Sequence, residues 1–176
     1  GSHGTDTSLI HITNGVHLET WVGLDMRALF ETHLGSDWPR KAASTKLWNR
    51  IEDIPDDALW KAHMKQKRAM VNYIQRRTGE EEVPDLSDDA LTIVWARRVA
   101  PYKRPALLFT DPDRLFAILN NTTCPVQIIL AGKAHPDDME GHDLVSEMVS
   151  HCRDERTSGR VVFAEDFDLR LARHLV

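Results

Sequence analysis

The chain has 176 residues, of which 41% are hydrophobic and 28% are charged, a composition typical of a globular domain rather than of a disordered or collagen-like chain. Its formal net charge of −5 at pH 7 gives no general electrostatic reason to bind nucleic acid or an anionic membrane surface, and no apolar run approaches the roughly 20 residues of a membrane-spanning helix. Cys124 and Cys152 lack the spacing of a zinc site or a disulfide framework, so we expect free thiols in a reducing cytoplasm.

The first 86 residues are predicted to hold loops and helices. Residues 1–9 begin with Gly1-Ser2-His3, which has the appearance of an affinity-tag remnant, and we expect them to be a disordered lead. Residues 10–21 are predicted to be a loop, because Asn14-Gly15 is a strong turn dipeptide. Residues 10–86 would then form an interdomain loop and helical segment.

Two long helices are predicted in this segment. Apolar residues at helical spacing predict the first at residues 22–34, with Gly35 as its stop. The second is predicted at residues 55–79, because proline suits the first turn of a helix and the carboxylates that follow it complement the helix dipole. A short helical turn at residues 47–51 lies between them.

After an acidic linker at residues 80–89, the pattern changes to short apolar strands that alternate with helices. The predicted elements are strands at 91–96, 126–131 and 160–164 and helices at 104–120, 137–151 and 169–176. A βαβαβα run produces a parallel sheet with right-handed crossovers. Residues 87–176 are therefore predicted to be half of a doubly wound α/β domain.

The first strand leads into a basic loop that contains Arg97, Arg98, Lys103 and Arg104, and Pro105 is suited to begin the helix that follows. In an open α/β sheet, ligands bind beyond the carboxyl ends of the strands, and a helix N-terminus offers free N–H groups to an anion. Arg97 and Arg98 could each contact phosphate oxygens in a bidentate manner, and Lys103 would act as a compact point charge. The composition is equally typical of a solvated basic loop, but its position after a strand favours a phosphate site.

A second strand-to-helix turn has the sequence Gly132-Lys133-Ala134-His135-Pro136. Gly132 allows close backbone approach, and Lys133 adds a cation at the same edge of the predicted sheet. Two adjacent strand ends would then face one anion, although an ordinary turn with a surface lysine is the alternative interpretation. The histidines and carboxylates of residues 135–143 do not have the spacing of a metal-ligand set, so no metal site is predicted.

Four separated motifs, in this order along the chain, resemble those of the α-glucan phosphorylases. They are Thr13-Asn14-Gly15 with Trp21, the run ARRVAPYKR at residues 96–104, the turn GKAHP at residues 132–136 and the strand end FAEDF at residues 163–167. The resemblance extends over almost the whole chain from Ile10 and follows the shorter bacterial and archaeal branch of the family.

The resemblance implies the GT-B architecture of two Rossmann-like domains. This chain would hold the first half of the C-terminal domain, preceded by the helical interdomain segment. The resemblance also implies pyridoxal 5′-phosphate as the cofactor and transfer of a terminal α-1,4-linked glucosyl unit to orthophosphate, which gives glucose 1-phosphate with retained configuration. The partners would be an α-1,4-glucan, orthophosphate and glucose 1-phosphate, in a parent enzyme expected to be a cytoplasmic homo-oligomer.

Residue roles are carried over position by position from the same resemblance. It assigns Arg98 and Lys103 to the substrate phosphate as catalytic residues, with Arg97 beside them as a substrate-binding residue. Tyr102 and Lys133 would lie around the cofactor and phosphate pocket.

The resemblance has further consequences at the two ends of the chain. Asn14 would bind substrate by contacting the glucosyl unit near its 6-hydroxyl. Asp168 stands where some family members have arginine, so it is not assigned to the cofactor. The lysine that forms the Schiff base with the cofactor is expected downstream of Val176. This chain would therefore cover a minority of the enzyme and be inactive by itself.

Two other functions remain open from the residues alone. A sugar-nucleotide-dependent glycosyltransferase of the same architecture could use an Arg/Lys pair at a strand end to stabilise a diphosphate leaving group. A stand-alone, non-catalytic binding domain would retain only the anion pocket.

Overall fold

A computed structural model describes residues 10–77, 86–157 and 159–176. The lead predicted at residues 1–9 and most of the acidic linker predicted at residues 80–89 lie outside the described residues. Among the helices that the structure describes, none combines the length and the apolar character needed to span a bilayer.

Within residues 10–77, four α-helices precede the sheet. They are α1 (Leu18–Trp21), α2 (Leu24–Leu34), α3 (Thr45–Trp48) and α4 (Asp56–Arg77), with 3₁₀ turns at Trp38–Lys41 and Asn49–Asp53. The two long helices are confirmed, and Gly35 ends α2 with φ at 98°, a conformation that favours glycine. The loop predicted at residues 10–21 differs in its last part, which forms the single turn of α1.

In the described part of residues 86–176, three parallel strands and three α-helices follow. They are β1 (Leu91–Arg98), α5 (Pro112–Leu119), β2 (Val126–Lys133), α6 (Met139–Cys152), β3 (Val161–Ala164) and α7 (Leu169–Leu175), and the strand order is β1-β2-β3. This confirms the predicted α/β class, in which a helical segment precedes a parallel sheet. Both β1 and β2 run two residues further than predicted, because they pair with each other through Arg98 and Lys133.

The helix predicted at residues 104–120 is wrong in its first half. Residues Pro105–Phe109 form a 3₁₀ helix, and α5 starts only at Pro112. A proline disfavours the helical conformation of the residue before it, so Asp111 leaves the helix. Its side chain instead accepts a hydrogen bond from the backbone N–H of Arg114 at 3.1 Å and caps α5.

Two apolar layers enclose the sheet. On one face, α4 and α7 pack against β2 and β3 through Met70, Val71, Ile74, Ile129, Val162 and Leu171. On the other face, α5 and α6 pack through Leu115, Leu119, Ile128, Leu130, Met148 and Val161. The chain thus changes face after β3, and α7 contacts both α4 and β1. This return places the end of α7 beside the carboxyl half of β1.

A smaller apolar cluster stabilises the helical segment around the buried Trp38, Leu34 and Leu47. Phe30 and Trp48 pack edge-to-face against Trp38, with ring centroids 5.3 and 6.3 Å away. The cluster is joined to α4 by α2, and the backbone N–H of Met26 donates to Gln66 Oε1 at 2.9 Å.

A buried polar side chain holds the start of the sheet in place. Gln127, which is 1% exposed, accepts from the backbone N–H of Ser87 and donates to its carbonyl oxygen, both at 2.8 Å. Its amide also donates to Thr92 Oγ1 at 2.8 Å. Both polar atoms of this buried amide have hydrogen-bond partners, so the free-energy cost of burying an unpaired polar group does not arise here.

Candidate functional site

The carboxyl ends of β1 and β2 bring basic residues of two predicted motifs together. In the parallel register, Arg97 is opposite Gly132, and Arg98 is opposite Lys133. Opposed residues project to the same face of a sheet, and successive residues of one strand project to opposite faces. Arg98 and Lys133 are therefore neighbours on one face, whereas Arg97 projects to the other.

Gly132 sets the spacing of the two strands at this edge. A Cβ atom on residue 132 would lie 2.6 Å from the carbonyl oxygen of Arg97 and 2.7 Å from Val99 Cγ2. Nonbonded carbon atoms attract at about 3.5–4.0 Å, so a side chain here would push β1 away from β2. The close backbone approach expected at Gly132 is therefore present in the structure.

A 3₁₀ turn at Pro101–Lys103 follows β1 and carries the next two candidate residues. The backbone N–H groups of Lys103 and Arg104 donate to the carbonyl oxygens of Ala100 and Pro101, each at 2.9 Å. Arg104 then adopts φ 51° and ψ 53°, a left-handed conformation that costs a non-glycine residue on the order of 1 kcal/mol. Such strain persists only where the surrounding structure holds it, and here it separates two consecutive 3₁₀ helices.

A cleft of about 700 Å³ opens beside the carboxyl half of β1. Its cationic and aromatic lining comes from Arg97, Lys103, Tyr102, Trp95 and Trp21, and its apolar lining comes from Val94, Ala96, Phe167, Ala172, Leu175 and Val176. The ammonium of Lys103 lies 4.6 Å from the centroid of the Tyr102 ring, a cation–π contact. The cleft therefore combines two positive charges with aromatic and aliphatic surface.

The cations at this edge have no carboxylate partner in the part of the chain that the structure describes. No ion pair within residues 10–77, 86–157 and 159–176 includes Arg97, Arg98, Lys103 or Lys133. Like charges placed side by side repel each other, and an anion between them removes that repulsion. The arrangement is therefore suited to binding a multiply charged anion such as a phosphate.

The structure divides the predicted site residues into three groups. Arg97, Tyr102 and Lys103 line the cleft. Arg98 and Lys133 are exposed neighbours at the strand ends and do not line it. Asn14 is exposed before α1, and it does not line the cleft either.

Sequence reasoning did not assign Phe167 and Trp95 to the site, although both line the cleft. Phe167 lies three residues after the end of β3, so the rule that sites form beyond the carboxyl ends of parallel strands could have identified it. The rule would not have identified Trp95, because it lies inside β1 and its side chain also packs with the buried residues between the sheet, α5 and α6.

The loop after β3, which we define as Glu165–Asp168, borders the cleft through Phe167. Asp168 Oδ1 accepts from the backbone N–H of Leu171 at 2.7 Å and caps α7. This hydrogen bond, together with the positive charge of Arg77, holds the pKa of the Asp168 carboxyl below its ordinary value. Asp168 thus has a structural task at the start of α7.

The acidic and histidine residues near the start of α6 are engaged in local hydrogen bonds. Asp138 Oδ1 accepts from the backbone N–H of Gly141 at 2.9 Å, and the backbone N–H of Asp137 donates to His135 Nδ1 at 3.2 Å. Within the described residues, no group of three or more histidine, cysteine or carboxylate side chains is arranged to hold a metal ion.

Comparison with known proteins finds relatives over nearly the whole chain. It is 40% identical to the glycogen phosphorylase of Aquifex aeolicus and 37% identical to the maltodextrin phosphorylase of Thermococcus litoralis, in each case over 94% of the chain. It is 30% identical to a glycogen phosphorylase of Mycobacterium tuberculosis over 93% of the chain. No family model matches the sequence.

The chain spans only part of these relatives. It corresponds to 26% of the length of the Aquifex aeolicus protein, 21% of the Thermococcus litoralis protein and 20% of the Mycobacterium tuberculosis protein. Over nearly all of its own length, the chain is homologous to one segment of the glycogen and maltodextrin phosphorylases. The resemblance stated from the four motifs is thereby confirmed.

Proposed function

We infer that this chain, a segment of the α-glucan phosphorylase family by its homology, contributes the phosphate-binding part of an enzyme that cleaves α-1,4-glucans with orthophosphate. The reaction transfers the terminal glucosyl unit to orthophosphate and releases glucose 1-phosphate with retained configuration. One observation supports this inference beyond homology. Several cations lie at the carboxyl ends of β1 and β2, where a parallel sheet binds its ligands, and they form no ion pair with a carboxylate among the residues that the structure describes.

Arg97 and Lys103 are proposed to hold the orthophosphate in the cleft. Both line it, beside the apolar side chains of the same cleft. Fixed positive charges aimed at the oxygens of the attacking phosphate stabilise the charge that develops in the transition state. Lys103 supplies a compact charge, and Arg97 offers a planar set of donors.

Arg98 and Lys133 are proposed to complete the positive edge on the other face of the two strands. Arg98 keeps the catalytic role implied by the family, and Lys133 keeps its place near the cofactor. Asn14 is proposed to contact the glucosyl unit once the rest of the protein positions residues 10–17, which are exposed in this structure.

The family relationship implies pyridoxal 5′-phosphate in the whole enzyme. The cleft fits such a group in chemical character, because aromatic surface from Tyr102 and Trp95 lies beside the charges of Arg97 and Lys103. Bound there, the cofactor would supply a phosphate that takes part in proton transfer. We propose that Tyr102 contacts the cofactor and that the lysine that attaches the cofactor follows Val176 in the longer protein. The longer protein is proposed to be a cytoplasmic homo-oligomer.

The test uses the full-length protein that contains this segment. Arg97→Ala, Arg98→Ala and Lys103→Ala should each lower the turnover with orthophosphate by at least about tenfold, equivalent to about 1.4 kcal/mol of transition-state stabilisation. Lys61→Ala is the matched control, because Lys61 is an exposed cation of α4 with no ion pair among the described residues. Glucose 1-phosphate formed from a maltodextrin and orthophosphate is the measured product.

Near-wild-type kinetics in all three variants would remove these cations from the site. A full-length protein that ignores orthophosphate but transfers glucose from a nucleoside diphosphate sugar would instead be a sugar-nucleotide-dependent glycosyltransferase. Binding of orthophosphate without either reaction would favour a non-catalytic anion-binding domain. The isolated 176-residue chain should form no glucose 1-phosphate above the blank, because catalysis needs a complete, preorganised enclosure.

A further inference from the structure

Arg77, the last residue of α4, holds the Glu165–Asp168 loop from outside the cleft. Its Nε donates to the carbonyl oxygen of Glu165 at 3.1 Å, and its Nη2 donates to the carbonyl oxygen of Asp166 at 2.8 Å. Its Nη1 donates to the hydroxyl oxygen of Tyr73, one turn earlier in α4, at 3.0 Å. One guanidinium therefore joins two consecutive loop carbonyls to the end of a helix.

The loop held in this way has an uncommon backbone conformation. Asp166 has φ 53°, in the left-handed region that non-glycine residues rarely adopt. Aspartate tolerates this region better than most residues, but the conformation persists only where neighbouring groups hold it. The hydrogen bond of Arg77 to the carbonyl of Asp166 acts on the strained residue itself.

The strained turn determines where the next side chain lies. Phe167 packs against the buried residues between the sheet, α4 and α7, and it also lines the cleft that contains Arg97 and Lys103. Arg77 does not line the cleft. Its influence on the two cations would therefore pass through the backbone of the loop and the ring of Phe167.

We propose that Arg77 is a positioning residue that keeps the Phe167 ring against the cleft and thereby strengthens the binding of an anion by Arg97 and Lys103. A nearby apolar ring excludes water from the cleft and lowers the local dielectric, which strengthens the attraction between a cation and an anion. If the ring moves out, the two cations become more hydrated and hold the anion less tightly. The choice of orthophosphate as the anion rests on the proposed function.

An arginine is required at this position because three of its N–H groups are used at once. Its planar guanidinium presents donors in a fixed fork, whereas a lysine ammonium is a compact point charge on a flexible stem. Arg77→Lys keeps the positive charge near the end of α4 but cannot span both carbonyls and the Tyr73 hydroxyl. This variant separates the loss of geometry from the loss of charge.

The experiment compares Arg77→Met and Arg77→Lys with Arg76→Met in the full-length protein. Arg76 is the adjacent exposed arginine of α4, and no side-chain hydrogen bond or ion pair is recorded for it within the described residues. Two quantities are measured: the KM for orthophosphate with the kcat, and the hydrogen-exchange rates of the backbone amides of residues 165–168.

Arg77→Met should raise the KM for orthophosphate by roughly tenfold or more, since displacement of a positioned group by about 1 Å can cost up to a hundredfold. It should also accelerate exchange at residues 165–168, and Arg77→Lys should show intermediate changes in both quantities. Arg76→Met should match the wild type. A purely structural role would instead reduce the amount of folded enzyme and lower the apparent kcat at an unchanged KM.

Unchanged exchange at residues 165–168 in both Arg77 variants would overturn the proposed clamp, and faster exchange with an unchanged KM would overturn its link to anion binding. If Arg77→Met does not fold, Arg77→Lys decides the question. If the wild-type protein shows no reaction with orthophosphate, the proposed function fails. In that case the dissociation constant of inorganic phosphate is measured in place of the KM. A dissociation constant in Arg77→Lys equal to that of the wild type would refute the inference.

Discussion

Replacing Gly132 with alanine should loosen the edge of the sheet at which the candidate cations lie. The added Cβ would meet the carbonyl oxygen of Arg97 at 2.6 Å, Val99 Cγ2 at 2.7 Å and Trp95 Cζ3 at 3.3 Å. The first of these atoms belongs to the backbone of β1, so it can move only if β1 shifts away from β2. Overpacking of this kind typically costs about 1–3 kcal/mol.

An opposing effect reduces this cost. Alanine restricts the unfolded chain more than glycine does and thereby stabilises a protein by about 0.4–1 kcal/mol where the native backbone accepts it. Residue 132 has no positive φ, so the backbone accepts alanine and the clash alone opposes the change. The net expected loss is therefore of the order of 1–2 kcal/mol in the free energy of unfolding.

The assay is urea unfolding of the full-length protein, with Gly15→Ala as the matched control. A Cβ on residue 15 would meet nothing within 4 Å, so the same chemical change occurs there without a clash. The control should stay within about 0.5 kcal/mol of the wild type. Equal stability of the two variants would refute the argument that close strand approach requires glycine at position 132.

Three further outcomes are expected. Burial raises the pKa of the Cys152 thiol to about 12, so little of the reactive thiolate is present at pH 8. Iodoacetamide at pH 8 should therefore label the exposed Cys124 well before Cys152. Equal labelling rates of the two cysteines, measured by mass spectrometry, would contradict this. Because the pKa of Asp168 is lower in the folded protein than in the unfolded chain, its ionised carboxylate stabilises the fold above the unfolded-state pKa, and this stabilisation is lost as the pH falls through the folded-state pKa. Asp168→Asn lacks this carboxylate, so its stability should fall less than that of the wild type between pH 5 and pH 3. Urea unfolding midpoints measured over this pH range would reveal or disprove the difference. Gly35→Ala should destabilise the end of α2 by about 1–3 kcal/mol, because φ 98° and ψ 152° at residue 35 lie in a region that is almost restricted to glycine, and an unchanged melting temperature would argue against that strain.

Local patterns were sufficient for the fold class. The apolar period of α4 and the short β-rich runs of β1, β2 and β3 depend on neighbouring residues, so composition and spacing predict them. The misassigned helix at residues 104–120 had a local signal as well. Asp111-Pro112 is a typical helix start, since aspartate suits the N-cap position and proline the first position of a helix.

Strand ends were harder to predict, and they decide which way the candidate residues point. Arg97 and Arg98 were expected in a loop, where both could face one anion. They belong to β1 because Arg98 pairs with Lys133, a residue 35 positions later in the chain. Since successive strand residues alternate between faces, that long-range pairing makes Arg98 a neighbour of Lys133 and turns Arg97 to the other face. Of the two arginines, only Arg97 lines the cleft.

The sequence by itself determined the α/β class, the order of the elements, the family resemblance and the gathering of cations at the carboxyl ends of two strands. Only the tertiary structure decided which cations share a cleft, because that depends on strand register and on the return of α7 to β1. It also decided that Arg77 bonds to carbonyls 88 and 89 residues away. Contacts between residues so far apart arise from the packing of whole elements, and no local spacing of residues encodes them.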